Sequence, residues 1–293
     1  MTLRVGTRAS KLAQIQATEV VGILKEAGLD AELVTISTKG DRCKTLPIHK
    51  IGKNGVFVGE LERALRDGTV DLAVHSLKDM PSKILDGFTL ALPPAAPADV
   101  DVFVGKVNSF KEQDLARMVV ATGSNRRIAQ LKHFYPEIEI VPIRGNVETR
   151  IQKIEDGLAD GTLLAYAGLA RSGLAHKVTA PLDPTRFIPS PSQGLLGIEL
   201  AEDRRELLKI FAEASDSHAT LRMKVERAFQ RALNASCQSP IGIHIEQNGK
   251  EIILHGCFAE TMDDPLVYAT VTTTAEKAEE DVLKLVRKVK VHE

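Results

Sequence analysis

Short apolar runs alternate with amphipathic stretches along the first two thirds of this chain, a rhythm that predicts parallel strands joined by helical crossovers. A strand is expected over 3–5, followed by a turn at Gly6-Thr7-Arg8-Ala9. Ser10 reads as the N-cap of a helix whose apolar positions Leu12, Ile15, Val20, Ile23, Leu24 and Ala27 share one side, and Gly28 closes it. A second strand is expected over 31–36, a helix over 55–66 that ends near Gly68, and a third strand over 70–74.

The periodicity collapses at Pro93-Pro94-Ala-Ala-Pro97-Ala-Asp99, which places a boundary between two lobes. Alternation resumes with strands over 101–104, 118–121, 138–143 and 162–166 and helices over 125–134 and 147–154. A second break, Phe187-Ile-Pro189-Ser-Pro191-Ser-Gln193-Gly194, predicts that the chain passes back, so that 195–200 adds a strand to the first lobe. From 219 the order becomes helix, three strand-like runs (241–245, 251–259, 266–273) and a closing helix to about 289, the order of a small antiparallel α+β domain. The expected class is α/β, with two hinged lobes plus a small C-terminal α+β domain, divided as 1–94 with 192–213, 95–191, and 214–293.

Charge removes several function classes. With 38 Lys+Arg against 39 Asp+Glu the net charge is -1, so no global field recruits nucleic acid or an anionic membrane surface. No apolar run approaches the roughly 20 residues that span a bilayer, and the first residues enter a strand pattern without a secretory core, so a cytoplasmic location is expected. Cys43, Cys237 and Cys257 are too scattered for a disulfide framework and form no C-x-x-C pair, so no metal is expected.

Chemistry collects at strand ends. In Asp71-Leu-Ala-Val-His75-Ser-Leu-Lys78-Asp79-Met-Pro81, an apolar run long enough for one buried strand ends in two charges. Pro81 then forces the backbone to turn. The rim of an open α/β sheet is where ligands bind, which singles out Lys78 and Asp79, while His75 reads as structural. Arg8 follows the first strand, Arg126 and Arg127 follow 118–121, Arg144 follows 138–143, and Arg150 lies one to two turns further on. Ser10 and Ser124 add hydroxyls where helices begin. One arginine alone is a surface or ion-paired residue, but several at corresponding turns point to a ligand with multiple carboxylates or phosphates.

Neither G-x-x-x-x-G-K-[ST] nor G-x-G-x-x-G occurs, so nucleotide binding is disfavoured, and H-E-x-x-H and G-x-S-x-G are absent too. Cys237, in the small polar loop Leu233-Asn-Ala-Ser-Cys237-Gln-Ser-Pro240-Ile-Gly242, is placed for reactivity, whereas Cys43 and Cys257 read as buried hydrophobes. On these residues an enzyme that acts on a polyanionic ligand through an acid or a nucleophile and a non-catalytic two-lobed anion-binding module both stand.

Taken together, Thr7-Arg8-Ala-Ser10-Lys-Leu-Ala-Gln14, Val74-His-Ser-Leu-Lys78-Asp79-Met-Pro81, Ser124-Asn-Arg126-Arg127, Arg144-Gly-Asn-Val-Glu-Thr-Arg150, Ala167-Gly-Leu-Ala-Arg171, Gln193-Gly194 and Cys237-Gln-Ser-Pro-Ile-Gly242 resemble the porphobilinogen deaminase (hydroxymethylbilane synthase) family. The resemblance implies a periplasmic-binding-protein-like pair of lobes and a third domain whose Cys237 holds a dipyrromethane cofactor through a thioether. It implies a monomer that adds four porphobilinogens to this primer with loss of ammonia, then releases hydroxymethylbilane. It assigns Asp79 as the catalytic carboxylate, and Arg8, Ser10, Lys50, Lys78, Ser124, Arg126, Arg127, Arg144, Arg150 and Arg171 as ligands of cofactor or growing chain. Phe57 and Gln193 match positions near the cleft. The chain departs from the family at Gly52-Lys53-Asn54-Gly55, at Ala95 to Val100, at Ser192 where the family has glycine, and at Ala235-Ser236. The altered 53–54 and 95–100 segments motivate a third reading, a relative that keeps the scaffold with impaired turnover.

Overall fold

The computed structural model describes residues 2–37, 58–107, 110–235 and 239–290. Its contacts divide into two compact units, Met1–Ala96 with Gly194–Met223, and Pro97–Gln193 with Lys224–Glu293.

In the first unit, β1 (Leu3–Arg8), β2 (Ala31–Ile36), β3 (Leu72–Ser76), β4 (Phe88–Leu90) and β10 (Leu196–Ala201) form one sheet in the order β2-β1-β3-β10-β4. Helices α1 (Lys11–Glu26) and α2 (Gly59–Arg66) follow β1 and precede β3. Leu3, Val5, Leu72, Val74, Leu196, Ile198 and Leu200 pack with Ala17, Val20 and Leu24 of α1 in the main core. The buried face of α1 runs through Ala13, Gln16, Ala17, Val20, Val21 and Leu24. It is thus rotated from the expected side: Leu12 and Ile15 are half-buried and Ala27 is exposed. Two small alanines let the helix lie close to the sheet, and Gln16 accepts a hydrogen bond from the Ser76 hydroxyl at 3.1 Å. Gly6 to Arg8, expected as a turn, instead continue β1, with Arg8 paired to Ile36.

The second unit repeats the arrangement. Strands β5 (Asp101–Gly105), β6 (Val119–Ala121), β7 (Glu139–Val141), β8 (Gly161–Ala165) and β9 (Ala180–Pro181) lie in the order β7-β6-β8-β5-β9. They are joined by α3 (Asn125–Phe134), α4 (Val147–Glu155) and α5 (Tyr166–Arg171). Phe103, Leu115, Val120, Leu131, Leu163 and Phe187 form its core. The same unit holds the sheet β11-β12-β13 (Ile241–Asn248, Glu251–Phe258, Val267–Thr274), covered by the closing helix α8 (Ala278–Val289), which buries Val282, Leu285 and Val286. In sequence, α6 (Arg205–Glu213), whose Leu207 and Phe211 join the first unit's core, and α7 (Ser217–Ala232) come between β10 and β11.

Both five-stranded sheets depart from the all-parallel expectation in the same way. β1, β2 and β3 are parallel, as are β6, β7 and β8, but β10 runs antiparallel to β3 and β5 antiparallel to β8. Each reversed strand is the first after the chain changes unit, at 96–97 and at 193–194. A strand that arrives from another unit needs no helical crossover and can enter from the opposite end.

At the second change of unit, Ser192 holds φ 62° with 1% exposure, its N–H donating to the Glu226 carboxylate. Its hydroxyl has no hydrogen-bond partner among the described residues. A left-handed backbone is costly for a side chain with a Cβ, and a buried unpaired hydroxyl adds to that cost. Ser192→Gly is expected to stabilise the protein by about 1 kcal/mol after glycine's greater unfolded entropy is counted. The check is the thermal midpoint, which should rise by about 2 °C.

Candidate active site

In the first unit the parallel neighbours β1 and β3 end at one edge of the sheet, which brings Arg8, Ser10 and the Lys78-Asp79 turn to that edge. Leu77–Asp79 is a single 3-10 turn, closed by Met80 N–H donating to Leu77 O at 3.1 Å and tied to β10 by Leu77 N–H donating to Leu195 O at 3.0 Å. Leu77 and Met80 are 1% exposed and pack with Val58 and Leu195, whereas Lys78 and Asp79 between them are half-buried at the rim. Among the described residues of its unit, the Asp79 carboxylate accepts no hydrogen bond and forms no ion pair. Ser10 caps α1, its hydroxyl accepting from Ala13 N–H at 3.4 Å.

In the second unit the corresponding edge lies beyond β6, β7 and β8. Ser124 stands at the N-cap of α3 with extended backbone, yet its hydroxyl makes no capping bond. Asn146 caps α4 by accepting from Thr149 N–H at 2.9 Å, and Arg150 Nε donates to Gly145 O at 2.8 Å, so the Arg144–Arg150 loop is fastened to its own helix. Arg144, Arg150 and Arg171, the last residue of α5, are half-buried.

Arg126 and Arg127 differ from the rest: each is 5% exposed and turned inward on Asp101, itself fully buried. Arg126 Nη2 reaches Asp101 Oδ2 at 2.8 Å and its Nη1 reaches Ile188 O at 2.8 Å. Arg127 forks onto the same carboxylate through Nε and Nη2 at 3.0 and 2.8 Å and donates to Leu163 O through Nη1. Gln193, expected near the cleft, is 1% exposed; its amide donates to Asp101 Oδ1 at 2.9 Å and to Asp99 O, a strut inside the unit. Asp101 was legible only as the head of an apolar strand. Its role needs the fold, because α3 and the 187–193 segment bring its partners from far along the chain.

Burial opposes ionisation of Asp101, but the Arg126 and Arg127 charges and the bonds from Arg127 and Gln193 outweigh it and hold the carboxyl well below the usual carboxylate range. Burial also pushes the Arg126 guanidinium down, with the Asp101 charge working against that. One carboxylate against two guanidiniums leaves an unspent positive charge, and Arg126 Nε is a buried donor with no partner among the described residues. Such a cluster can take a further carboxylate.

Cys257 is 0% exposed among Ile188, Ala259 and Leu266, and burial pushes its thiol up to about 12, so it is no nucleophile. Cys237, Lys50 and Phe57 lie outside the described residues, as do Cys43, Lys53 and Asn54.

A family model described as "Porphobilinogen deaminase, dipyromethane cofactor binding domain" matches residues 3–209, and one described as "Porphobilinogen deaminase, C-terminal domain" matches 220–290. The chain belongs to the porphobilinogen deaminase family. A porphobilinogen deaminase of Laribacter hongkongensis is 37% identical over 277 residues, 94% of this chain and 90% of that one. Another, of Syntrophotalea carbinolica, is 39% identical over 279 residues, covering 94% and 89%. Among solved structures, the BvgS periplasmic VFT2 domain of Bordetella pertussis matches with TM-score 0.45 at 17% identity, covering 73% of this chain and 86% of that one. The methionine-binding protein MetQ matches with TM-score 0.45 at 15% identity, covering 77% and 94%.

As a porphobilinogen deaminase, the chain is a transferase of tetrapyrrole synthesis with a dipyrromethane-binding domain. The residues present fit that group: its carboxylates need cationic donors, and the unpaired Arg126 Nε in a cluster of net positive charge is one. No helix among the described residues is long and apolar enough to cross a membrane.

Asp101→Asn removes the counter-charge of two buried guanidiniums and should destabilise the protein by about 3–5 kcal/mol. Because the folded carboxyl titrates below the unfolded one, wild-type Asp101 contributes stability fully at neutral pH and loses it as pH falls below about 5. The variant should therefore show a flatter decline of stability on acidification, measured by urea unfolding at a series of pH values.

Proposed function

We propose that this chain condenses porphobilinogen head to tail, four units per product, with one ammonia leaving at each addition and water releasing linear hydroxymethylbilane. The observation that carries the reading is the Asp79 turn: a half-buried carboxylate, unpaired within its unit, is delivered to the rim by a buried strand of a porphobilinogen deaminase. Asp79 is assigned the proton that accompanies ammonia's departure and the negative charge facing the pyrrole nitrogen as it becomes positive.

Arg8, Ser10, Lys50 and Lys78 from one part of the chain, and Ser124, Arg126, Arg144, Arg150 and Arg171 from another, are assigned to the acetate and propionate groups of cofactor and growing chain. Arg127 is assigned to the same carboxylates, and through Nε and both terminal nitrogens it also holds Asp101 in place. Cys237 is assigned the thioether to the dipyrromethane, which when bound supplies the primer for elongation. Phe57 and Gln193 are assigned to shaping the cleft, Gln193 by fixing Asp101 from within. The reading includes a monomer in the cytoplasm, with domains at 1–94 with 192–213, 95–191 and 214–293, and the separate β11-β12-β13 sheet supports the third of these.

The test supplies porphobilinogen to the purified protein and follows ammonia and tetrapyrrole together. One ammonia per porphobilinogen consumed, with a linear tetrapyrrole as product, is expected; saturable binding without consumption would leave an anion-binding relative.

A further inference from the structure

Strand β10 is buried along its length, and its Leu196, Ile198 and Leu200 enter the main core with α1. The alternate positions Gly197 and Glu199 face the other way. A glycine inside a strand costs about 0.5–1 kcal/mol relative to alanine and marks a place where something else comes close. A Cβ at Gly197 would lie 2.7 Å from Met80 Sδ, 3.2 Å from Leu77 Cδ1 and 3.5 Å from His75 Cβ. All three belong to the segment that carries Asp79.

That segment rests on Leu195 and on alternate positions of β10. Leu77 N–H donates to Leu195 O at 3.0 Å; Leu77 and Met80, on either side of Lys78-Asp79, close over the bare backbone of Gly197; and His75 Nε2 lies 3.1 Å from Glu199 Oε2, both side chains buried. Gly197 is also the register partner of His75. The height of the turn above the sheet is therefore set where β10 has no side chain.

We propose that Gly197 is a positioning residue for Asp79: the missing side chain seats the Leu77–Met80 turn and so fixes where the carboxylate stands. The proposal rests on the reading of Asp79 as the catalytic group. An added methyl must push the Met80 thioether aside and press on the Leu77 side chain, whose Cδ1 must give by a few tenths of an ångström. Misplacement by about 1 Å can cost about 10²-fold, so a smaller shift is expected to lower kcat about tenfold.

The experiment compares wild type, Gly197→Ala, Gly197→Ala with Met80→Ala, and Asp79→Asn, each loaded with cofactor and assayed well below its thermal midpoint. Gly197→Ala should lower kcat with KM for porphobilinogen and the covalent adduct mass unchanged. Met80→Ala in the same chain, by making room, should recover most of that loss, which a general loss of stability would not do. Met80→Leu, which keeps the glycine and changes only the group above it, should also lower kcat, by less, and serves where Gly197→Ala folds poorly. If Asp79→Asn turns over like wild type, the reading of Asp79 falls and this proposal with it. If Asp79→Asn is slow while Gly197→Ala and Met80→Leu keep wild-type kcat, or if Met80→Ala deepens the Gly197→Ala defect, the seating proposal alone is overturned.

Discussion

Cys237→Ala protein should weigh no more than its polypeptide, whereas wild type and Cys257→Ser should each carry a covalent adduct of two pyrrole units. A thioether needs a thiolate that an incoming pyrrole can reach. Cys257 offers neither: it is sealed in the cluster of Ile188, Ala259 and Leu266, and burial pushes its thiol up to about 12. Cys237 stands in sequence among small and polar residues, Asn234-Ala-Ser-Cys237-Gln-Ser239, which is why the thioether is assigned to it. Without the primer no chain can start, and tetrapyrrole formation by Cys237→Ala should fall to background. Intact-mass measurement separates the possibilities before any activity assay: equal adducts on all three proteins would sink the assignment to Cys237. An adduct lost from Cys257→Ser alone would move the attachment to a residue that the fold buries completely.

Much of the architecture was legible because its signals are local. The helix over 125–134 and the strand at 31–36 were fixed by periodicity and turn residues that need no partner. The change of unit at 96–97 falls within the Pro-rich stretch at 93–99. Strand direction was not local. β5 and β10 read as ordinary members of a parallel series, and nothing in Asp101 to Gly105 or Leu196 to Ala201 records from which end each enters its sheet.

The candidate site divides similarly. Pro81 and the charges before it announced the Asp79 turn, since a buried strand ending in Lys-Asp-Met-Pro has few places to go. Arg126 and Arg127 read as ligand-facing cations at a strand-to-helix turn. Their inward orientation depends on Asp101, Leu163 and Ile188, none adjacent in sequence, and Gln193 likewise reads as polar until its amide is found on Asp101. The rotation of α1 turned on Ala13 and Ala17, which hydrophobic periodicity counts as weak positions although small residues permit the closest approach to a sheet.

Asp79→Asn should retain the covalent adduct and a KM within a few-fold of wild type while kcat falls by about 10²–10⁴-fold, the range a positioned acid–base group contributes. The substitution keeps shape and polarity, so the turn held by Leu77 and Met80 has no reason to move. What is lost is the ability to carry a proton to departing ammonia and to oppose positive charge on a pyrrole nitrogen. Removing a carboxylate that has no ion-pair partner within its unit should not lower stability, which distinguishes this variant from Asp101→Asn, where two buried guanidiniums lose their counter-charge. Thermal midpoint and kcat together therefore sort the two aspartates: one expected to be silent in stability and severe in turnover, the other severe in stability. Asp79→Glu adds a methylene and should recover part of the rate, since the charge is kept but displaced. Wild-type kcat in Asp79→Asn would remove the residue from the mechanism, and a thermal midpoint depressed as far as in Asp101→Asn would recast it as a structural group.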